Sequence, residues 1–423
     1  MAFIPPVVFI MTKLKGAALF GQSGGPTTVI NASAAGVIMT ALAQDCITHV
    51  YGAEHGIRGV LNDRLFDMGL EDKEELLLLK TTPSSALGSV RYKLADFEKD
   101  DTDYKRLLEM FQKYDIRYFF YNGGNDSMDT CNKISKYMKK VGYECRVIGV
   151  PKTIDNDLYG TDHCPGYGSA AKYIATSLME AYHDAHVYDN GRITIVEIMG
   201  RNAGWLTAAA SLASARGLGP DLIYLPEVAF DEDKFLQNVS VISKKNDGNV
   251  IVAVSEGIRY ADGRYVAEGG SKDSFGHAQL GGAAATLARI TQEKLGIKAR
   301  GVEFNILQRC AAHCASKTDV EEAYMAGEAA VLKAVEGVTD YCIGFERNTD
   351  VNGSYKCDMK LISLSDIANI EKKVPLEWIN KEGNFVGGGF IDYAMPLIQG
   401  HSAPPTVEGL PRFANLKKIL ATV

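Results

Sequence analysis

Tyr118-Phe119-Phe120-Tyr121-Asn122-Gly123-Gly124-Asn125-Asp126-Ser127 and Val147-Ile148-Gly149-Val150-Pro151-Lys152-Thr153-Ile154-Asp155-Asn156-Asp157 decide how this chain is read. Each is an apolar run of strand length that breaks into a polar loop. Such unbroken apolar runs mark strands buried on both faces of a parallel sheet. Open α/β sheets place their ligands on the loops that leave the carboxyl ends of those strands. Paired glycines allow a backbone to approach phosphate oxygens closely. Two carboxylates at i and i+2 with a lysine beside them can divide the roles of proton acceptor, metal ligand and phosphate clamp. Phosphoryl transfer needs that combination.

Working outward, the same alternation continues on both sides. Gly16–Phe20 is predicted as a strand, followed by the glycine loop Gly21-Gln22-Ser23-Gly24-Gly25-Pro26 and a helix to about Leu42. Neither G-x-G-x-x-G nor G-x-x-x-x-G-K-[ST] is present, so this loop alone is equally readable as a tight turn. Strands follow at Ile47–Ala53, Arg117–Tyr121 and Arg146–Val150, with helices at Thr102–Lys113, Met128–Val141 and Ser169–His186. A second run places strands at Arg192–Ile198, Asp221–Leu225, Asn249–Val254 and Val302–Leu307. Its helices are expected over Ala203–Ala215, Asp231–Lys245 and Leu280–Leu295. Arg201, Glu227, Glu256 and Arg309 then stand at or just past strand ends, where converging charges make a site for a small hydroxylated anion. Lys373–Gly400 reads as a helix and a glycine-rich loop.

With 423 residues, 46% apolar and 23% charged, the chain is long enough for two ordinary domains. Its net charge of −7 argues against nucleic acid as the main partner, since no basic excess is available to offset a phosphate backbone. Eight cysteines show no disulfide framework, which favours a reducing cytoplasm. Cys310, His313 and Cys314 raise the question of a zinc site, but a second ligand pair is missing. Cys310–Ala315 reads as apolar helix with buried thiols. The Met1–Met11 run is too short to span a bilayer and lacks signal-peptide features, so residues 1–12 are expected to be a disordered leader and no membrane partner is expected.

These features together resemble the 6-phosphofructokinases. The likeness runs from about Lys15 to helix Thr318–Glu336, through Leu87-Gly88-Ser89-Val90-Arg91, Thr153–Asp157, Met199-Gly200-Arg201, Pro226-Glu227 and Gln308-Arg309. It implies an α/β fold of two doubly wound, mostly parallel sheets in Rossmann-like three-layer domains, with a C-terminal extension. Residues 15–166 with about 308–360 would form the phosphoryl-donor domain. Residues 167–307 with about 361–423 would form the sugar-phosphate domain. Asp155 would be the general base for the 1-hydroxyl of fructose 6-phosphate, with Lys152, Asp126 and Arg201 completing the catalytic set. Asp157 would hold Mg²⁺, with Asn125 as a second ligand. Thr153, Met199, Gly200, Arg201, Glu256 and Arg309 would hold the sugar phosphate. Arg192 and Arg300 would reach it from a neighbouring subunit, which implies a homodimer or homotetramer.

The donor side of the resemblance comprises Gly24, Gly25, Arg91, Asn125, Asp126, Ser127 and Lys152. ATP-using bacterial members carry glycine at the places of Asp126 and Lys152, whereas pyrophosphate-using members carry Asp and Lys. A carboxylate at Asp126 would repel the α-phosphate of a nucleotide. The Lys152 ammonium supplies a point charge for a compact diphosphate. Pyrophosphate is therefore the expected donor, with an ATP-dependent 6-phosphofructokinase as the alternative. A non-catalytic sugar-phosphate-binding subunit is disfavoured because Asp155 and Asp157 are both present. A lipid or dinucleotide kinase is disfavoured by Met199-Gly200-Arg201. Departures from the pattern are Asn125 for a metal-associated aspartate, Ile306 for a sugar-phosphate-contacting histidine, and Cys310-Ala311-Ala312 for a Gly-Gly turn. Ala35, Met39 and Asp184 occupy the places of effector-site arginines, so no nucleotide-diphosphate allostery is expected.

Overall fold

The structure is a computed structural model and describes residues 13–187, 189–272, 278–367 and 370–422. The expected leader therefore lies outside the described residues. The first sheet runs, edge to edge, Tyr355–Ser363, Tyr341–Thr349, Arg146–Pro151, Ile116–Gly123, Gly16–Gln22, Ile47–Ala53 and Leu65–Asp67. Its five inner strands are parallel, and the strand at each edge is antiparallel.

Why this stretch forms the centre follows from its side chains. Successive residues of a strand point to opposite faces. Tyr118 and Phe120 join Ala34, Val37 and Val331 of helices Ile30–Leu42 and Lys317–Val335 on one face. Phe119 and Tyr121 join Leu107, Phe111, Ile134 and Met138 of helices Thr102–Lys113 and Asn125–Lys140 on the other. Truncating a ring such as Phe119, which is fully buried, to alanine should cost about 3–5 kcal/mol. Register then does the positioning. Gln22 pairs with Asn122 and Gly123 pairs with Pro151, so three loops leave the sheet side by side.

A second sheet runs Ala299–Glu303, Ile193–Ile198, Val250–Ser255 and Leu222–Tyr224, all parallel. Helices Glu232–Lys245 and Ala283–Leu295 cover one face. Helix Tyr167–Ala185 covers the other, joined by Trp205, Phe390 and Leu397. Among the described residues no helix is long and apolar enough to cross a membrane.

Several sequence expectations shift. The predicted strand Val302–Leu307 ends at Glu303, opposite Glu197. Asn305 then turns left-handed (φ 44°), and Asn305–Arg309 is a 3₁₀ turn. Cys310–Ala315 contains only the 3₁₀ turn Ala312–Cys314, not a helix. The helix expected over Ala203–Ala215 splits into Trp205–Ala208 and Ser211–Ser214. The helix after the paired glycines starts at Asn125 rather than Met128, so Asn125, Asp126 and Ser127 form its first turn. The segment after Lys373 holds helix Gly388–Ala394, and Val374, Val386, Phe390 and Leu397 enter the second core. The final stretch departs from the expected division. The Asp67 N–H donates to the Ile419 carbonyl (2.9 Å) and the Ala421 N–H to that of Leu65 (2.8 Å), which returns the tail to the first sheet.

Candidate active site

The three neighbouring loops are stitched into one floor. The Ser23 N–H donates to the Asn122 carbonyl (2.9 Å), the Lys152 N–H to that of Gly123 (3.0 Å) and the Gly24 N–H to that of Val90 (3.1 Å). The Ser89 hydroxyl donates to the Gly24 carbonyl at 2.6 Å. Gly24 has φ 76°, a left-handed conformation that glycine adopts at little cost. From the opposite lobe come Met199, Arg201, Glu256 and Arg309, and between the lobes lies a cavity of about 330 Å³. Gly123–Ser127 ends at the amino terminus of helix Asn125–Lys140, whose free N–H groups and dipole favour an anion.

Three cations gather around the Gly24-Gly25 turn. A Cβ placed on Gly24 would lie 3.3 Å from Lys152 Nζ. One placed on Gly25 would lie 3.3 Å from Arg309 Nη1 and 4.0 Å from Arg91 Nη2. Lys152 is only 3% exposed, and its ammonium donates to the Gly25 carbonyl at 2.7 Å. Burial chiefly, with Arg91 and Arg309 adding, pulls its pKa down to about 8 against the pull of Asp155 and Asp157. A buried ammonium among guanidinium groups is a spot that an incoming anion would relieve. Asp126 is exposed and lines the same cavity.

The acidic half of the cavity faces this cluster. Asp155 is held by its own loop, where its N–H donates to Thr153 Oγ1 (3.1 Å). Burial raises its pKa above the usual carboxylate range, and Lys152, Arg201 and Arg91 oppose that rise. Asp157 is pushed up to about 7, first by burial and then by the charges of Asp155 and Glu371. Glu256 is also pushed up to about 7, mainly by burial, while it accepts the Gly200 N–H (3.2 Å). A carboxyl poised there can accept or donate a hydrogen bond to a sugar hydroxyl. Gln308 is buried and accepts the Met199 N–H (3.3 Å), which ties the Met199-Gly200-Arg201 loop to the turn carrying Arg309.

A family model described as phosphofructokinase matches residues 18–303. The chain belongs to the phosphofructokinase family. It is 46% identical over 403 residues to a Methylococcus capsulatus protein named pyrophosphate–fructose 6-phosphate 1-phosphotransferase, covering 94% of this chain and 95% of that one. It is 45% identical over 405 residues to a protein of the same name from Halomonas elongata, covering 95% and 96%. A crystal structure titled pyrophosphate-dependent phosphofructokinase, from Nitrosospira multiformis, superposes with a TM-score of 0.88 at 41% identity, covering 97% of this chain and 98% of that one.

For a phosphofructokinase the next question is whether these residues suit a hard divalent cation. Asn125 Oδ1 is buried without a protein hydrogen-bond partner, and the charged form of Asp157 is disfavoured by burial and by two other carboxylates, a disfavour that a cation would relieve. Both line the cavity and both are oxygen donors, so the set fits Mg²⁺.

Most predicted site residues meet in this cavity: Gly24, Gly25, Arg91, Asn125 to Ser127, Lys152, Thr153, Asp155, Asp157, Met199, Arg201, Glu256 and Arg309. Gly200 adjoins it through its bond to Glu256. Arg192 and Arg300 do not line it; they lie just before and within the starts of strands Ile193–Ile198 and Ala299–Glu303, at the opposite ends from the Met199 loop. Glu227 is turned away to other work. Its Oε1 accepts the N–H groups of Gly204 (2.8 Å) and Val374 (3.1 Å), its Oε2 is buried without a hydrogen-bond partner, and the residue does not line the cavity. Ile306 is 54% exposed on the 3₁₀ turn and lies off the cavity. Glu371, Tyr92 and Asn202 also line the cavity, and sequence reading missed them. Asn202 directly follows Arg201 and was open to inclusion, but no local pattern marks Glu371.

Proposed function

We propose that this chain transfers a phosphoryl group from pyrophosphate to the 1-hydroxyl of fructose 6-phosphate, reversibly, giving fructose 1,6-bisphosphate and orthophosphate. The observation that carries this reading is the buried Lys152 ammonium bonded to the Gly24-Gly25 turn, with the exposed Asp126 carboxylate lining the same cavity. The names of the full-length relatives support the same donor and acceptor.

Asp155 accepts the proton of the 1-hydroxyl as its oxygen bonds to phosphorus and the bridging P–O bond of pyrophosphate breaks. Its depressed acidity in the free protein suits a base that must hold a proton at that moment. Lys152, Arg91 and the amino end of helix Asn125–Lys140 take up the charge of the donor and of departing orthophosphate. Arg201, Arg309 and Glu256 hold the sugar phosphate from the second lobe. Asp157 and Asn125 would hold Mg²⁺, which when bound shields the donor oxygens from one another. Arg192 and Arg300 would complete the 6-phosphate site from a neighbouring subunit, in a homodimer or homotetramer. All eight cysteines are free, in keeping with a reducing cytoplasm.

Initial rates with pyrophosphate and with ATP, each at saturating fructose 6-phosphate and Mg²⁺, test the reading. Turnover should be far faster with pyrophosphate. Faster turnover with ATP would replace the donor, and turnover with neither would remove the activity.

A further inference from the structure

The loop that carries both aspartates is secured from outside the 18–303 stretch that the family model matches. Asp155-Asn156-Asp157 has no regular secondary structure, and Asn156 sits in the left-handed region (φ 55°). Asparagine adopts that conformation more readily than most non-glycine residues, and contacts on both sides of the loop hold it there. The contacts on one side come from the C-terminal segment. Glu371 pairs with Leu158 in an antiparallel bridge, and the Lys372 N–H donates to the Asp157 carbonyl (2.7 Å). The Lys372 side chain turns back to donate to the carbonyls of Asp162 (2.7 Å) and Thr161 (3.2 Å). Tyr393 adds a third point: its hydroxyl donates to the Asp162 carbonyl (2.8 Å) and accepts from Asn156 Nδ2 (2.8 Å).

One residue thus grips the loop at both ends, Asp157 through its backbone and Asp162 through its ammonium. Lys372 is itself set by Trp205, whose indole N–H donates to the Lys372 carbonyl (2.8 Å) and whose ring lies 4.8 Å from Nζ. Loop packing alone would be satisfied by an apolar chain such as Met. The ammonium adds two directed bonds to carbonyls that would otherwise have to find other donors. Burial lowers its pKa, so the position is kept at a cost in charge solvation.

We propose that Lys372 is a positioning residue for phosphoryl transfer: by clamping Asp157 and Asp162 it aims the carboxylates of Asp155 and Asp157 into the cavity. The inference rests on the roles given above to Asp155 and Asp157. Small displacements of reacting groups are expensive in rate, and outer partners of metal ligands commonly control affinity.

The test uses the full chain with Lys372→Met, Lys372→Arg and Tyr393→Phe. Lys372→Met keeps the volume and the backbone bond and loses the ammonium. Its kcat with pyrophosphate should fall roughly 10- to 100-fold. Its KM for fructose 6-phosphate should stay within about twofold, because the Lys372 ammonium bonds the carbonyls of Thr161 and Asp162 and not Arg201, Arg309 or Glu256. Lys372→Arg should recover most of the loss, since the guanidinium can reach the same carbonyls and the cleft of about 540 Å³ beside Lys372 leaves room for it. Tyr393→Phe should give a milder fall of the same kind. Mn²⁺ affinity, read by electron paramagnetic resonance without substrates, should weaken about tenfold in Lys372→Met and return in Lys372→Arg. If the wild type turns over neither donor, the proposed activity fails, and the Mn²⁺ series alone decides this inference. Unchanged kcat and Mn²⁺ affinity in Lys372→Met would overturn it. So would kcat, KM and thermal stability falling together without rescue by Arg, and should Lys372→Met not fold, Lys372→Arg and Tyr393→Phe must still show the kcat-only signature.

Discussion

Replacing Lys152 with Met should separate donor recognition from the rest of the chemistry, and its size can be worked from the site. The ammonium is 3% exposed, and its pKa falls from 10.5 to about 8. That fall corresponds to about 3 kcal/mol of disfavour for the charged form. A bound diphosphate anion reverses the disfavour, so binding draws a proton onto Lys152 wherever the free protein has lost it. The sign follows from the lowered pKa: the charged form prevails below about 8 and is lost as pH rises through it. Donor binding at pH 8 should take up about half a proton through this group, and about a tenth of one at pH 7. Calorimetry in two buffers of different ionisation enthalpy reads this uptake directly. Lys152→Met supplies the baseline for the anion's own protons. In steady-state assays kcat/KM for pyrophosphate should fall about 10²- to 10³-fold in Lys152→Met. The fold should persist, because the lost group was costly to bury. Equal proton uptake in wild type and variant, or a variant with near-normal kcat/KM, would refute the reasoning.

Other outcomes follow from the same geometry. Asp155→Asn should lower kcat about 10²- to 10⁴-fold with little change in fructose 6-phosphate binding, seen by calorimetry without donor. Asp126→Gly should raise the ratio of ATP to pyrophosphate turnover by roughly tenfold or more, the equivalent of about 1.4 kcal/mol of relieved repulsion. Away from the cavity, the buried His163 ring is engaged by Asp162 (2.8 Å) on Nδ1 and Glu322 (2.8 Å) on Nε2, which raises its pKa against the effect of burial. Its stabilisation is complete below the ordinary value of 6.5 and is lost as pH rises through the raised folded value. Glu322→Gln should therefore destabilise most near pH 6, by about 3–5 kcal/mol, and progressively less as the wild-type imidazolium deprotonates. Thermal melts across that range check it, and a difference that grows with pH would contradict the assignment.

Much of the fold was legible because its cues are local. Phe119 and Tyr121 alternate with Tyr118 and Phe120, and a strand buried on both faces needs apolar residues at each. The loops at Gly24-Gly25, Gly123-Gly124 and Lys152–Asp157 follow their strands directly, so their shared sheet edge was readable before register was known. The misreadings lie where tertiary contacts override local pattern. Val302–Leu307 is apolar enough for a strand, yet Asn305 turns left-handed and Gln308 is drawn inward to Met199. Glu227 stands past a strand end like Glu256, yet Gly204 and Val374 bond its Oε1 and it lies off the cavity. Glu371 and Lys372 carry no motif at all.

By itself, then, the sequence determined which loops would leave the sheet and which residue types they would carry, because strand alternation and glycine conformation are properties of a few consecutive residues. Only the tertiary structure decided which charges meet. Arg91, Lys152, Arg201, Glu256, Arg309 and Glu371 reach one cavity through strand register and the packing of two lobes. Their mutual fields, which set the protonation of Lys152 and Asp157, exist only at the distances that packing creates.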